Sequence, residues 1–545
     1  MKAKAPGCQC RESVIRRGIM YTLRCALPGL LAALTACTTL GPDHATPEAE
    51  VEAQWLAQDD PAFQAGKDVN SDWWTQFNDP VLDRLVQMAY EQNLSLQIAG
   101  LRIMEARAQL GIAIGSQYPQ LQEAAGSATR VNLSENVPNF NSSADTNYWT
   151  ANAGLNASWE LDFWGRFRRG VESASANLGS QIAAYDNALV SLTGEVASVY
   201  IQSRTLEEQL SVAHANVETQ RKGYQLADVR FRAGDTSGLD PAQALTLLRS
   251  TQAQIPSLES QIRQSRNALS ILLGMPPRDL DALLGEGDIP VAPETVALGM
   301  PAELLRRRPD IRQAELQVAA QNAQIGVAQS QLYPSFSLTG SLGYTTSDTN
   351  RSDMGDLFSS DSFGYSIGPG FSWPILNYGR IKNNVRVQDA RLEEQIVNYQ
   401  NTVLEAAREV EDGLAGFQGA RASTAYLADS VASAQRSVDL SLIQYREGAT
   451  DYQRVLDSQQ SLQVQQENYT SALGSIAQNL VAVYRALGGG WQMRAGNDFV
   501  PEARQERMRE RTDWGDLIPA EKLPAGLPAP PPTGTEQPLF NKPHW

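Results

Sequence analysis

Few residues in this 545-residue chain could do covalent or metal chemistry. The three histidines, His44, His214 and His544, stand far apart, and the four cysteines, Cys8, Cys10, Cys25 and Cys37, all fall within the first 37 residues. No zinc-ligand spacing, phosphate loop or dinucleotide fingerprint occurs, and the nine methionines do not cluster as copper-binding ones do. Acid–base relay, thiolate and metal catalysis therefore lack their groups, so the sequence implies no enzyme, no metal and no cofactor. What remains is electrostatic. After Gly448 runs Asp451-Tyr452-Gln453-Arg454-Val455-Leu456-Asp457, in which Arg454 and Asp457 are helix neighbours able to pair, or to sit as separately solvated charges. A corresponding turn, Arg232-Ala233-Gly234 with Gly238 after it, lies in the first half.

The elements that position these turns follow from an internal repeat. Ala108-Gln109-Leu110-Gly111 reappears as Ala323-Gln324-Ile325-Gly326, an offset of 215. Trp159, with Trp164-Gly165-Arg166, returns as Trp373 with Tyr378-Gly379-Arg380, and Phe231-Arg232-Ala233-Gly234 as Tyr445-Arg446-Glu447-Gly448, both at 214. Between these landmarks the apolar period is two: Trp149, Ala151, Ala153, Leu155, Ala157, Trp159 and Leu161 share one parity. Phe336, Leu338, Leu342 and Tyr344 do the same, as do Phe363, Tyr365, Ile367 and Phe371, so each half offers one hairpin, about 118–164 and about 333–376. Runs of about ten residues with aromatics near their ends are long enough to cross a bilayer when tilted. A soluble β-sandwich would alternate in the same way.

After each hairpin the period becomes 3.5, through Leu178, Ile182, Tyr185, Leu189, Leu192 and Val196, then again through Leu392, Ile396, Tyr399, Val403, Ala406 and Val410. With no proline from 171 to 240, a helix over 171–232 is predicted, roughly 93 Å long at ~1.5 Å per residue. Further helices are predicted at about 84–117, 241–273, 309–332 and 453–487, with Gly234 and Gly448 turning the chain at the far tips. Four strands cannot close a membrane barrel, which needs about eight; two copies would give a filled interior, and three copies, with twelve strands, the smallest open pore.

At the start, Arg16, Arg17 and Arg24 precede the apolar stretch Ala26–Ala36, which reads as an export signal over 1–36. A start at Met20 would give a leader of more ordinary length, so Met1 and Met20 both stand as starts. Leu34-Thr35-Ala36-Cys37 resembles the bacterial lipoprotein box, whose cysteine is acylated and becomes the new N-terminus; buried acyl chains hold at about 0.8 kcal/mol per CH₂. Removing the leader moves the formal net charge from −16 to −21, which argues against nucleic acid as a partner.

Taken in order, the lipoprotein box with Leu40-Gly41-Pro42-Asp43, then Trp73-Trp74-Thr75-Gln76-Phe77-Asn78-Asp79-Pro80, Arg307-Arg308-Pro309-Asp310-Ile311 and Ala486-Leu487-Gly488-Gly489-Gly490-Trp491 resemble the outer-membrane factor family of the TolC and OprM type, in its lipoprotein branch. The resemblance implies a mixed α and β fold: a transmembrane β-barrel shared by a homotrimer, four strands from each protomer, continued by a long periplasmic helical barrel. It implies acylation at Cys37, residence in the outer membrane, and efflux of drugs or other toxic compounds together with a periplasmic adaptor and an inner-membrane RND-type transporter. Thr38 after the acylated cysteine, in place of an aspartate, fits that sorting. The family carries Asp-x-x-Asp at its closed entrance; here Asp457 matches the inner carboxylate and Arg454 replaces the outer, so the gate candidates are Asp457, Arg454 and Asp451. Arg232, Gly234, Gly238 and Gly448 are the adaptor-contact candidates. On their own chemistry Trp73 and Trp74 read as packing residues, Pro309-Asp310 as a helix start and Gly488–Gly490 as a helix stop. The expected organisation is a signal at 1–36, an anchored and equatorial segment at 37–83, repeats at 84–300 and 301–491, and a tail at 492–545 without fixed structure. That tail holds a charged stretch, Glu502 to Arg511, and nine of the chain's 28 prolines. A type I protein-secretion duct and a lipid-tethered coiled-coil scaffold are the alternatives.

Overall fold

The computed structural model of the chain describes residues 38–57, 60–65, 71–136, 138, 145–293, 295–298, 305, 307–349 and 352–518. The leader and Cys37 lie outside them, as do residues 519–545. After a short strand β1 (Phe63–Ala65), helix α1 (Pro80–Gln92) begins at Asp79, whose Oδ1 accepts from the Val81 and Leu82 N–H groups at 2.8 and 3.2 Å. The single helix expected over 84–117 is in fact two. Asn93 ends α1 and caps α2 (Leu94–Gly115): its Oδ1 accepts from Leu96 N–H at 2.9 Å, and its amide donates to the Leu272 carbonyl at 2.9 Å. A buried asparagine that serves both helices and a third element explains a break that hydrophobic periodicity does not show.

Strands β2 (Leu121–Asn132) and β3 (Asn147–Leu161) follow, then α3 (Arg166–Ala233), 68 residues or about 100 Å at ~1.5 Å per residue. Helix α4 (Leu239–Leu272) returns along it, and α5 (Asp281–Leu284) and β4 (Val296–Leu298), parallel to β1, lead to the second half. There α6 (Pro309–Ser330), β5 (Ser335–Ser347), β6 (Phe363–Ser372), α7 (Arg380–Arg446) and α8 (Tyr452–Ala486) repeat the first half in order. Gly165 and Gly379 sit at φ 75° and 79° where strand turns into long helix, a conformation that favours residues without a Cβ.

The four long strands form one antiparallel sheet in the order β2-β3-β5-β6, so the two hairpins join through β3 and β5. The main core sits at mid-height of the helices. There Trp73 stacks on Tyr484 at 5.4 Å, Tyr200 donates to Asp79 at 2.7 Å, and Trp74, Phe77, Leu189, Val196, Phe417 and Leu480 close around them. Pro309 opens α6 behind Arg308, which reaches Asp310, Glu409 and the Ala486 carbonyl at 2.6 to 3.0 Å. Gly488 and Gly490, both at positive φ, end α8.

A second expectation is overturned. The start of the tail is ordered: Trp491–Arg494 form a 3₁₀ turn, and α9 (Glu502–Arg511) seats Met508 with Val500 and Ile518 on Met104 of α2. Composition suggested solvation, but one face of this charged helix carries the apolar contact that holds it.

Candidate functional site

The register of the sheet sorts its side chains into two unlike faces. On one, Ala124, Leu155, Leu342 and Tyr365 stand in a row across all four strands, with Leu338, Ile367 and Phe371 on the same side. On the other, Glu123, Asn156, Ser341 and Ser366 stand in a row, and Asn156 donates to Glu123 at 3.2 Å while the Ser341 and Ser366 hydroxyls meet at 3.0 Å. Tyr365, Ile367 and Phe371 are each more than 70% exposed, so no described residue covers this apolar face. An exposed, continuous apolar sheet face opposite a polar one suits a wall with lipid on one side and water on the other.

Aromatic residues bound that face at both ends. Toward the long helices lie Trp159, Phe336 and Phe371, with Trp164 and Tyr333 beside them; the Trp159, Trp164 and Trp373 indoles donate to the backbone carbonyls of Gln117, Pro334 and Leu332 at 2.8 to 3.1 Å. At the far end Trp149 lies near Arg130, and Tyr344 packs on Phe358 and Phe363 at about 5.5 Å. Trp149 and Trp159 are ten residues apart on β3, about 34 Å along a strand and about 24 Å of height at a ~45° tilt, which matches the ~25 Å apolar band of an outer-membrane wall. Among the described residues no helix is long and apolar enough to cross a membrane.

At the opposite end, the turns of the two helical hairpins meet. Gly234 and Gly448, at φ 83° and 73°, end α3 and α7 with the same pair of reverse hydrogen bonds: Asp235 N–H to Arg230 carbonyl at 3.0 Å and Ala449 N–H to Gln444 carbonyl at 2.8 Å. Arg230 then crosses between hairpins, donating to the Tyr445 carbonyl and lying 4.7 Å over its ring. The Tyr445 hydroxyl donates to Asp240 at 2.9 Å, Thr236 donates to the same carboxylate, and Tyr452 packs edge-on against Tyr445 at 5.2 Å. Burial, then the Asp240 carboxylate, pushes the Tyr445 phenol up to about 12, so it stays a donor at physiological pH.

The model of the family described as "Outer membrane efflux protein" matches residues 85–275 and 300–489, which hold both repeats. The chain belongs to this family. Nodulation protein T of Rhizobium leguminosarum bv. viciae is 32% identical over 87% of the chain and 94% of its own length. The pyoverdine export outer membrane protein OpmQ of Pseudomonas aeruginosa is 33% identical over 85% and 97%, and the cation efflux system protein CusC of Escherichia coli 30% identical over 84% and 97%. Among solved structures, the outer-membrane channel OprN superposes with a TM-score of 0.77 at 30% identity, covering 83% of this chain and 99% of that one. This outer membrane efflux protein therefore resides in the outer membrane, with its helices extending into the periplasm.

In the efflux protein, the residues singled out from sequence are only partly brought together. Asp451 sits at the N-cap of α8, exposed and with no side-chain capping bond. Arg454 and Asp457 are exposed too, but the Arg454–Asp457 contact weighed from their spacing is not made: Asp457 accepts from Gln453 at 2.7 Å instead. Arg232 pairs with Asp228 at 2.8 Å on the surface, and Gly238, at φ −63°, stands before α4 beside the Phe231 ring. The acylation candidate Cys37 lies outside the described residues. Arg230, Thr236, Asp240 and Tyr445 do not stand out from spacing alone. The one available signal was the exchange of Phe231 for Tyr445 between the repeats, which adds a hydroxyl to one tip only.

Proposed function

We propose that three copies of this chain close a twelve-stranded barrel above a helical tube, and that this tube is the exit duct of a tripartite efflux pump fed by an inner-membrane RND-type transporter through a periplasmic adaptor. The two-faced sheet carries the reading. Its outer strands β2 and β6 each leave one edge without a partner among the described residues, and in lipid unpaired backbone groups cost several kcal/mol each, so the edges have to meet those of sister copies.

The repeat supplies a second argument. Val387, Val397 and Leu404 on α7 are exposed, whereas Ser173, Ala183 and Val190, their counterparts 214 residues earlier on α3, are buried. Helix α3 packs against both α2 and α6, while among the described residues α7 packs against α6 and its own hairpin partner α8; a sister copy's α2, which exposes Leu94, Ile98 and Ile112, fits the flank that α2 takes on α3. Acylation of Cys37 would hold each protomer at the inner leaflet, since Leu40, three residues on, donates its N–H to Trp164 at the base of β3 at 3.1 Å.

At the tip, three-fold symmetry would gather Asp457 into a ring with Arg454 and Asp451 beside it. Arg232, Gly234, Gly238 and Gly448, on the outer turns, would meet the adaptor. Relatives named for pyoverdine export and for cation efflux share this architecture, so the cargo is set by the transporter and not by the duct. The protein purified in detergent should run as a heat-modifiable trimer and form channels in planar bilayers; a monomer without conductance overturns the proposal. Asp457→Ala should raise single-channel conductance and weaken cation preference, and an unchanged channel would remove Asp457 from the gate.

A further inference from the structure

The internal repeat extends to two chain segments that lie across the helices. In the second half, the segment after Leu40 runs down α6 and α7: Asn322 donates to the Pro42 carbonyl at 2.8 Å, Thr46 to Glu315 at 2.7 Å and Gln400 to the Glu48 carbonyl at 3.2 Å, and Ala49 packs in the cluster of Tyr399. Moving back one repeat from Glu315, Asn322, Tyr399 and Gln400 gives Gly100, Arg107, Tyr185 and Asp186. These four hold the opposite end of the chain. The Phe499 carbonyl lies against Gly100, closer than a Cβ would permit; the Phe499 ring packs edge-on against Tyr185 at 5.1 Å; and the Arg107 guanidinium lies 5.8 Å over that ring. Asp186 accepts from Nε and Nη2 of Arg494, and the pair is largely buried. Below it Arg504 donates to Gln97, and Met508 and Ile518 cover Met104.

We propose that residues 491–518 are a second strap, clamping α2 against α3 in the outer groove of the first repeat as residues 40–49 clamp α6 against α7 in the second. Arg494 and Phe499 are its positioning residues. Like residues 40–49, the segment lies outside the residues that the family model matches. Its chemistry differs from that of its counterpart: Arg169 of α3 holds the first strap through the Leu40 and Gly41 carbonyls and an ion pair with the exposed Asp43 at 2.8 Å, while a buried ion pair and an aromatic ring seat the second. A buried pair accepts one geometry, and either charge left alone in that site is strongly disfavoured, so the pair fixes register as well as attachment. The inference stands on contacts within one protomer and does not depend on the number of copies in the ring.

Hydrogen exchange, followed by mass spectrometry on the full-length protein in detergent, tests it repeat by repeat. Phe499→Ala, and the double variant Arg494→Met with Asp186→Leu, which leaves no lone buried charge, should speed exchange in α2 about tenfold and leave α6 at its original rate. Asn322→Ala with Glu315→Ala should do the reverse. If Phe499→Ala does not assemble, Phe499→Leu, which keeps an apolar side chain but loses the ring contact, gives the same comparison. Unchanged α2 rates, or equal acceleration in both repeats, would overturn the proposal.

Discussion

Ile367→Arg should keep the protein out of the membrane, while Ser366→Arg, one residue away, should let it insert and narrow the channel. Ile367 is at the centre of β6 on the apolar face, opposite Gly340, and it is 73% exposed, with no cover from the described residues. A guanidinium on the lipid face near the midplane of a barrel costs about 2–4 kcal/mol, and closing the ring would repeat that cost in each copy. Ser366 belongs to the other face, where its hydroxyl meets Ser341, and an arginine there would stand in water. Outer-membrane fractionation and the urea midpoint of the heat-modifiable species measure the first variant; single-channel conductance measures the second. Normal insertion of Ile367→Arg would invert the assignment of the two faces.

That contrast rests on alternation, which is why so much of the wall was legible in the sequence. Period two from Trp149 to Leu161 and period 3.5 from Leu178 to Val196 are local signals, and the offset of 214 to 215 ties the two halves without any knowledge of contacts. Features decided by distant partners were not legible. The break at Asn93 depends on the Leu272 carbonyl, and the order of the tail depends on Tyr185, Asp186 and Met104, some 300 to 400 residues earlier. A stretch such as Glu502–Arg511 reads as solvated until the groove that takes Met508 is known. The tip shows the same division. Gly234 and Gly448 announce their turns through left-handed geometry, whereas the bond from Tyr445 to Asp240 joins residues 205 positions apart.

The two tips are therefore alike in backbone and unlike in chemistry, and the difference places the tie between the hairpins on Tyr445. Its counterpart Phe231 has no hydroxyl and is partly exposed, while Tyr445 is buried between Arg230, Asp240 and Tyr452. Asp240 lies in the first turn of α4, where the positive end of the helix favours a carboxylate, so the acceptor is charged and the bond stronger than a neutral one. Tyr445→Phe removes that bond and keeps the ring against Tyr452. A hydrogen bond to a charged group contributes about 1.5–3 kcal/mol, so the balance between joined and parted tips should move roughly ten- to a hundredfold in each protomer. In planar bilayers this should appear as longer and larger openings. Asp240→Asn, which keeps the shape of the acceptor but not its charge, should give a weaker form of the same change. The double variant Tyr445→Phe with Asp240→Asn should open no further than Tyr445→Phe alone, because the two residues share one bond. Additive effects would mean that they act on the tip separately, and a channel indistinguishable from wild type in Tyr445→Phe would leave Arg230, through its bond to the Tyr445 backbone, as the contact that keeps the hairpins together.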